Sequence, residues 1–487
     1  MRNSYALHKP DRLLRTIGLQ RLHRLLYQAD PISAGASASS RSGCGDLEAG
    51  IAAKLCGFRW SWSFSGSQLK LTPVSGLLRD NRFLIRSESP SVSAESDISS
   101  AEDEEACRVL EQLKATPELF ERLAENKGAE LGLQKRLRAE FSPEVVRAVI
   151  TQAELRKKAS SRFARAADMW FSAKGLEQAT SEAVAAHKAK RFSGAVQDFC
   201  CGIGADSVAL GMQGCEVSSV DISPVCCLMT DWNAAAHGVS DHVKATCSDI
   251  ADVVSREGLL HIDPDRRPVE WRRVRRIEEC QPGLPVLLEL IDEFRGGAIK
   301  LSPASNFGGK FANCEVELVS LDGECREATI WFGELAGDAP FRATVLPSGE
   351  TLAAEPLSAW TNVGELGAWI YDLDPAVVRS GLVDVLAERL GLRRLDDTEE
   401  YLTGDTLVDS PFVRPFEVLE NMPNNDRDVR RAFGRYDFGQ AEVKCRHIPI
   451  QAEAVRRKLP MKGQGVGTLI YTRQAGKTKV VVCRRPS

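Results

Sequence analysis

The stretch from Ala195 to Asp221 constrains the fold more than any other part of this chain. It reads AVQDFCCGIGADSVALGMQGCEVSSVD: an apolar strand, a turn containing Gly202 and Gly204, a helix pattern and a second strand. This order of elements is typical of half a nucleotide-binding βαβ unit. Glycines allow the backbone to approach a ligand closely, and a carboxylate ending the second strand can accept hydrogen bonds from ribose hydroxyls. The stretch therefore predicts an α/β domain that binds a nucleotide-like ligand.

Carboxylates stand where successive strand patterns end. The third to fifth strands read VKATCSD, LLHIDPD and GAIKLSP, with helical patterns between them. The carboxylates that end the first four strands are Asp198, Asp221, Asp249 and Asp263. Because the carboxyl ends of parallel strands form the ligand-binding edge of such a sheet, we expect these side chains to lie at one edge.

Two more strand patterns, EVELVSL and EATIWFG, follow the fifth strand and are joined by Asp322-Gly323. An Asp-Gly pair between two apolar runs is a strong hairpin signal. The sequence therefore predicts an α/β fold with a Rossmann-like parallel sheet closed by an antiparallel hairpin. Ordinary dehydrogenase folds lack this hairpin, and their phosphate turn needs a third glycine where this chain has Ser207.

The motifs of this region resemble those of class I S-adenosylmethionine (AdoMet) methyltransferases. DFCCGIG is similar to their first motif, and VDIS is similar to their second. The resemblance implies AdoMet as the cofactor, with contacts from Asp198, Cys200, Gly202, Gly204, Asp221, Ile222 and Asp249. It also implies that the segment before the first strand closes over the methionine end of AdoMet, which makes Gln178 and Thr180 candidate contacts. A plain helix-capping role is an equal alternative there.

The segment HIDPDRRP resembles the motif at the transfer centre of these enzymes, which implies catalytic roles for Asp263 and Pro264. Enzymes that methylate exocyclic base amines often carry Asn/Asp-Pro-Pro-aromatic here, whereas this chain continues with Asp265 and Arg266. The sequence therefore leaves the methylated group open. Arg266 and Arg267 are candidate contacts to substrate phosphate, and a solvated helix face is the equal alternative. The bacterial methyltransferases with a THUMP-like domain, which the chain resembles more widely as described below, usually read DPARR here. The extra carboxylate of Asp265 counts against a phosphate at this position.

The end of the chain is strongly basic. Residues 427–487 contain 15 Lys or Arg and 4 Asp or Glu, a net charge of +11, although the whole chain carries −4. A charge of this size on β-rich sequence favours contact with nucleic acid over a merely soluble surface.

From about Phe163 onwards, the chain resembles the bacterial class I AdoMet methyltransferases that carry a C-terminal THUMP-like domain. The resemblance rests on GLEQAT, DFCCGIGADSVAL, VDISP, HIDPDRRP, IKLSP, GECREATIWFGEL, WIYDLDPAVVRSGL, YLTGD and SPFVRPFEV. DFCCGIG also resembles the cap-hypermethylating trimethylguanosine synthases. Related THUMP domains bind structured RNA, so the resemblance implies tRNA or rRNA as the partner. The alternatives are a small-molecule or protein methyltransferase, or a non-catalytic RNA-binding protein that retains the fold.

The length of 487 residues indicates several domains. We expect an extension at 1–103, a helical domain at 104–191, the methyltransferase domain at 192–346 and an α+β THUMP-like domain at 347–487, basic from about 427. Residues 1–27 can form a basic amphipathic helix, for which a transit peptide, a peripheral membrane helix and an over-extended gene start are open alternatives. No apolar run has the length of a membrane span, and no cysteine spacing indicates a metal site. Reduced cysteines favour a cytoplasmic location.

Overall fold

The computed structural model describes residues 60–65, 68–73, 93–125, 130–265 and 276–486. The chain divides into two compact units, residues 1–94 and 95–487. In the first unit, strands β1 (Trp60–Ser65) and β2 (Gln68–Pro73) pair in antiparallel fashion. The helix expected within residues 1–27 lies outside the described residues.

Six helices precede the first strand of the main sheet. They are α1 (Ser93–Lys114), α2 (Glu118–Ala124), α3 (Glu130–Leu137), α4 (Pro143–Ala159), α5 (Ala173–Gln178) and α6 (Glu182–Ala189). The start of α4 follows from its sequence, because the Ser142 hydroxyl accepts a hydrogen bond from the Val145 N–H and Pro143 occupies the first helical position. The apolar faces of α1 to α5 form one core, which also includes Ile203 and Met229 of the following domain. The helical segment is therefore packed against the region that carries the glycine turn.

The main sheet has nine strands. They are β3 (Ala195–Phe199), β4 (Glu216–Asp221), β5 (Val243–Cys247), β6 (Leu259–Ile262), β7 (Gly296–Leu301), β8 (Glu315–Leu321), β9 (Glu324–Gly333), β10 (Phe341–Leu346) and β11 (Glu350–Ala354), in the spatial order β11-β10-β8-β9-β7-β6-β3-β4-β5. Strands β3 to β7 are parallel neighbours, and β9 runs antiparallel to both β7 and β8. The predicted parallel sheet with an antiparallel hairpin is confirmed. The sheet also continues past residue 346, because β11 pairs with β10.

The hairpin turn between β8 and β9 has the backbone that its sequence predicts. Asp322 and Gly323 both adopt positive φ, at 53° and 78°. A two-residue turn with positive φ at both positions matches the twist of antiparallel strands, and Asp-Gly is one of the pairs that tolerates it.

Helices cover both faces of the parallel part of the sheet. They are α7 (Ala205–Met212), α8 (Pro224–Ala236) and α9 (Leu284–Glu293). Side chains alternate along each strand, so β3 contributes Val196 to the core beside α7 and Phe199 to the core beside α9. Both cores consist of buried apolar side chains. Because β3 to β7 run parallel, their carboxyl ends lie at one edge of the sheet.

The C-terminal domain is built on a second sheet of seven strands. They are β12 (Trp369–Leu373), β13 (Arg393–Arg394), β14 (Leu402–Gly404), β15 (Val413–Pro423), β16 (Phe438–Cys445), β17 (Gly465–Gln474) and β18 (Lys477–Arg484), in the order β13-β14-β12-β15-β18-β17-β16. Its helices are α10 (Pro375–Arg379), α11 (Val383–Leu390), α12 (Asp426–Phe433) and α13 (Ala452–Arg456). The core beside α9 continues into this domain through buried residues such as Leu373, Val377 and Leu386. The two sheets therefore share one core.

Within the ranges that the structure describes, no helix combines the length and the apolar character that crossing a membrane requires. Within the same ranges, no group of three or more His, Cys, Asp or Glu side chains is arranged to hold a metal ion. The described cysteines all carry free thiols.

Candidate functional site

The turn between β3 and α7 has an unusual backbone. Cys200, Gly202 and Gly204 all adopt positive φ, at 56°, 58° and 76°. This region is uncommon for residues with a side chain, so Cys200 is held in a glycine-like conformation. A Cβ on Gly204 would lie 2.8 Å from the Thr230 side chain, whereas a Cβ on Gly202 would meet nothing within 4 Å. The turn therefore needs glycine at 204 for packing, and it faces open space at 202.

Asp221 at the end of β4 holds this turn. Its Oδ2 accepts a hydrogen bond from the Gly202 N–H at 2.8 Å, and its Oδ1 accepts one from the Ser223 N–H at 2.9 Å. Burial raises the pKa of Asp221 above its ordinary value, although the two N–H groups counteract that rise. The next residue, Ile222, is 73% exposed. A fixed carboxylate beside an exposed apolar side chain suits a ribose and the flat face of a base.

Asp249 lies at the same edge but on the surface. It follows β5, is exposed, and accepts a hydrogen bond from the Ala251 N–H at 2.9 Å as the cap of a short 3₁₀ turn. The Ser248 N–H donates to the Asp221 carbonyl oxygen at 3.0 Å, which ties this loop to the end of β4. The loop geometry therefore places Asp249 near the end of β4 that bears Asp221.

Asp198 differs from the other strand-end carboxylates because it is completely buried. Its Oδ1 is 2.7 Å from Nδ1 of His261, and its Oδ2 accepts a hydrogen bond from the Ser207 hydroxyl. Both oxygens are thus engaged by side chains of β6 and α7. The structure places Asp198 beneath the turn, where it braces β6 against α7. Sequence reasoning missed His261, a polar residue in the otherwise apolar strand LLHI, and Ser207.

Thr180 and Gln178 both lie beside the glycine turn but point in different directions. Thr180 is buried, and its hydroxyl donates to Oδ2 of Asp206 at 2.6 Å. Gln178 donates from Nε2 to Oδ1 of Asp265 at 2.9 Å, and its carbonyl oxygen accepts a hydrogen bond from Lys300 at 3.1 Å. Thr180 therefore supports the interior, whereas Gln178 joins α5 to the segment Asp263–Asp265, called the DPD segment below.

Asp263 is anchored by a lysine that sequence reasoning missed. Lys300 in β7 is only 4% exposed, and its Nζ is 2.5 Å from Oδ2 of Asp263. No described residue donates a hydrogen bond to the other oxygen, Oδ1. Pro264 is buried. A lysine within GGAIKL, a strand whose six residues are all buried, is the signal that could have identified Lys300.

The thiol of Cys200 experiences the negative charge of several carboxylates. Burial and the negative charges of nearby carboxylates raise the pKa of this thiol well above its ordinary value, and those carboxylates are Asp221, Asp263, Asp198 and Asp265. The structure thus brings the turn, the end of β4 and the DPD segment together at one edge of the sheet. Such an acidic edge is electrostatically suited to a ligand with positive charge. Arg266 and Arg267 lie outside the described residues.

Comparisons with known proteins agree with this geometry. Residues 193–266 match the family model for RNA cap guanine-N2 methyltransferases, residues 413–485 match the THUMP domain-like model, and residues 107–159 match a domain of unknown function. A candidate methyltransferase of Porphyromonas gingivalis W83 has a similar fold, with a TM-score of 0.60, 21% identity, and coverage of 72% of this chain and 92% of that one.

Two curated relatives are more similar in sequence. They are uncharacterised S-adenosylmethionine-dependent methyltransferases of Mycobacterium tuberculosis strains CDC 1551 / Oshkosh and H37Rv. Each is 37% identical over 312 residues, which cover 62% of this chain and 84% of the relative. The fold, the acidic edge and these relatives lead to one conclusion. The chain belongs to the family of S-adenosylmethionine-dependent methyltransferases and carries a THUMP-like domain near its C-terminus.

Proposed function

We propose that this methyltransferase modifies an exocyclic amine of a base in structured RNA, with tRNA or rRNA as the acceptor. The observation that carries the proposal is the arrangement at Asp263, where Lys300 holds one carboxylate oxygen and no described residue donates a hydrogen bond to the other. The match to the RNA cap guanine-N2 methyltransferase model supports the N2 amine of guanine as the acceptor atom. The match to the THUMP-like model supports RNA as the molecule that bears it.

The residues at the acidic edge fit AdoMet in distinct ways. Asp221 would bind the ribose hydroxyls, Ile222 would pack on the adenine, and Asp249 would accept a hydrogen bond from the adenine amine. The turn from Cys200 to Gly204 would approach the methionine part, because its backbone faces open space at Gly202. Asp198, Thr180 and Gln178 support these groups from behind, through the contacts described above. AdoMet, when bound, supplies an electrophilic methyl group on a sulfonium.

Asp263 and Pro264 would orient the acceptor amine. Oδ1 of Asp263, to which no residue in the described part of the chain donates, and the carbonyl oxygen of Pro264 can each accept an N–H bond from an exocyclic amine. Two such bonds fix the amine and direct its lone pair towards the methyl donor, which is the positioning that a displacement reaction needs. The carboxylate also faces the positive charge that develops on the nitrogen, and it lies where the released proton can be taken up.

The C-terminal domain offers a candidate docking surface for the RNA. Much of its basic charge is engaged internally, because Lys444, Arg446, Arg484 and Arg485 pair with carboxylates of the same domain. Basic side chains also gather at a groove of about 600 Å³ lined by Arg427, Arg430 and Arg431 of α12, by Lys458 and by the carboxylate of Asp426. We call this feature the α12 groove. Lys458 pairs with Asp426 and Arg431 pairs with Asp428.

The α12 groove is both rigid and positively charged. Helix α12 buries Val429, Ala432 and Phe433 in the domain core, so its basic face is fixed. Arg427 and Arg430 form no ion pair with any carboxylate that the structure describes. Guanidinium groups without a protein partner suit phosphate oxygens, which they can contact through two N–H bonds at once. Because the two sheets share one core, RNA in this groove would be held at a fixed distance from Asp263.

Replacing Arg427 and Arg430 together by alanine is expected to weaken RNA binding about tenfold or more at low salt, because each lost phosphate contact removes a counterion-release contribution. The slope of log K against log[salt] should fall by about 1.5. The matched control is Arg484→Ala with Arg485→Ala, which removes the same charge from residues paired with Glu417 and Glu442. Filter binding across a salt series measures the RNA affinity and the salt slope of each double variant. Equal loss in the two double variants would show that general charge, and not the α12 groove, attracts the RNA.

The function is tested by transfer of labelled methyl from AdoMet to total RNA from a strain that lacks this protein. Label in the tRNA or rRNA fraction, recovered as N2-methylguanosine after nuclease digestion, is the expected result. Label in another nucleoside would retain RNA as the substrate and replace the proposed atom. No label in RNA, with AdoMet binding shown separately, would move the acceptor to a protein or a small molecule.

A further inference from the structure

Helix α5 lies against the DPD segment through two side-chain contacts. Nζ of Lys174 is 2.7 Å from Oδ2 of Asp265, and Nε2 of Gln178 donates to Oδ1 of the same carboxylate at 2.9 Å. The two oxygens of Asp265 are thus each bound by one residue of α5. Asp265 is directed towards this helix, and its charge is balanced by Lys174.

The same helix also contacts the glycine turn. Gly175 packs so closely on Ile203 that an added Cβ would lie 2.4 Å from Cγ2 of that side chain. The start of the helix is fixed by Ser172, whose hydroxyl accepts a hydrogen bond from the Gly175 N–H at 2.9 Å. One face of α5 therefore rests on the turn while its side chains hold the DPD segment.

Lys174 also acts on the residue assigned to the ribose. Burial raises the pKa of Asp221, and the positive charge of Lys174 counteracts part of that rise. Lys174 thus lies within electrostatic range of Asp221 while it binds Asp265.

We propose that Asp265 and Lys174 form a clasp that fixes α5 over the glycine turn, and that Asp265 is a positioning residue for AdoMet. The proposal concerns the cofactor alone and does not depend on which molecule accepts the methyl group. The clasp gives the carboxylate next to the transfer centre a role other than contact with RNA.

The clasp is partly open to solvent, which limits its strength. The side chains of Lys174 and Asp265 are 46% and 30% exposed, so screening by water weakens their attraction. Releasing α5 is expected to weaken AdoMet binding about three- to tenfold, chiefly through faster dissociation. The maximal turnover at saturating AdoMet should change less than KM for AdoMet, because no group that touches the acceptor is removed.

The test is a charge-reversal cycle on the full chain, with AdoMet affinity and dissociation rate measured in the absence of RNA. Lys174→Asp and Asp265→Lys should each weaken binding, and the combined variant should recover most of the affinity that each single reversal loses. Arg295→Asp provides the matched control, because Arg295 pairs with Glu334 at 3.0 Å on the surface at the opposite end of β7. This control should bind AdoMet as the wild type does.

The outcomes separate the clasp from a merely structural contact. Unchanged AdoMet affinity and dissociation in Asp265→Ala and Lys174→Ala would overturn the proposal. The proposal would also be overturned if the combined variant lost as much AdoMet affinity as the two single reversals lose together. Lys174→Ala leaves the DPD segment intact, so a folding defect in an Asp265 variant does not leave the question undecided. Loss of RNA methylation with normal AdoMet binding would point to a role at the acceptor and would also contradict the clasp.

Discussion

Asp263→Asn is expected to lower methyl transfer by about 10²–10⁴-fold while AdoMet affinity stays within a few fold of the wild type. The amide can still accept a hydrogen bond from Lys300, so the DPD segment keeps its shape. It lacks the negative charge that faces the developing positive charge on the amine, and it cannot take up the released proton. Single-turnover methylation of RNA at saturating AdoMet measures the rate, and equilibrium titration measures the affinity.

Asp263→Ala is a harsher variant whose interpretation needs the structure. It removes the counter-charge of Lys300, whose side chain is only 5% exposed, and an uncompensated buried ammonium destabilises the folded protein. Combining it with Lys300→Met removes both charges and separates loss of folding from loss of chemistry. The double variant should unfold at a higher temperature than Asp263→Ala and should still lack activity. Wild-type turnover in Asp263→Asn would remove the carboxylate from the mechanism.

The fold could be predicted from the sequence because its signals are local and repeated. Five strand patterns, four of which end in a carboxylate, define a parallel sheet, and Asp322-Gly323 defines the hairpin. The positive φ of Asp322 shows that a two-residue signal can specify a backbone conformation. Such local signals depend little on the rest of the structure, which explains why the predicted sheet and hairpin are confirmed.

The site was harder to predict because it depends on which side of a strand or helix a polar residue faces. A strand-end position suggested that Asp198 faces the ligand, but the pairing of β3 with β4 and β6 sets Asp198 beside Ser219 and His261 inside the sheet. Thr180 occupies a plausible cap position, yet it is buried beside Asp206. Its partner arrives from another helix, and nothing in the local sequence indicates that.

Lys188 is another residue whose partners the local sequence does not indicate, and its substitution is expected to have a large effect on stability. It lies in AHKAKRF, where a lysine reads as part of a solvated basic helix end, but its side chain is only 3% exposed. Its Nζ is 2.7 Å from Glu327 in β9 and 3.1 Å from Asp206 in α7. Burial would lower the pKa of Lys188, but the charges of Asp206 and Glu327 outweigh it and raise that pKa. The lysine therefore joins α6, α7 and β9 directly behind the glycine turn.

Lys188→Met is expected to lower the free energy of unfolding by about 3–5 kcal/mol at pH 7, because it removes the cation that the buried carboxylates of Asp206 and Glu327 both contact. Urea-induced unfolding followed by circular dichroism measures the loss. Lys190→Met is the matched control, since Lys190 is exposed at the end of the same helix and should change stability by less than about 0.5 kcal/mol. A loss below about 1 kcal/mol in Lys188→Met would show that water or rearrangement compensates the carboxylates.

The pH dependence of stability in the wild type and in Lys188→Met distinguishes an electrostatic effect of Lys188 from a packing defect. In the wild type, burial would raise the pKa of Asp206, but Lys188 and other cations lower it below the unfolded value. A lowered pKa contributes stability above the unfolded value of about 4, and that contribution is lost as the pH falls further. Without Lys188, one counter-charge fewer opposes the effect of burial, so the pKa of Asp206 should be higher in the variant than in the wild type. The stability gap between wild type and Lys188→Met should therefore narrow as the pH falls from 7 towards about 4. A gap that stays constant over this range would mean that Lys188 stabilises the site through its packed methylene chain and not through its charge.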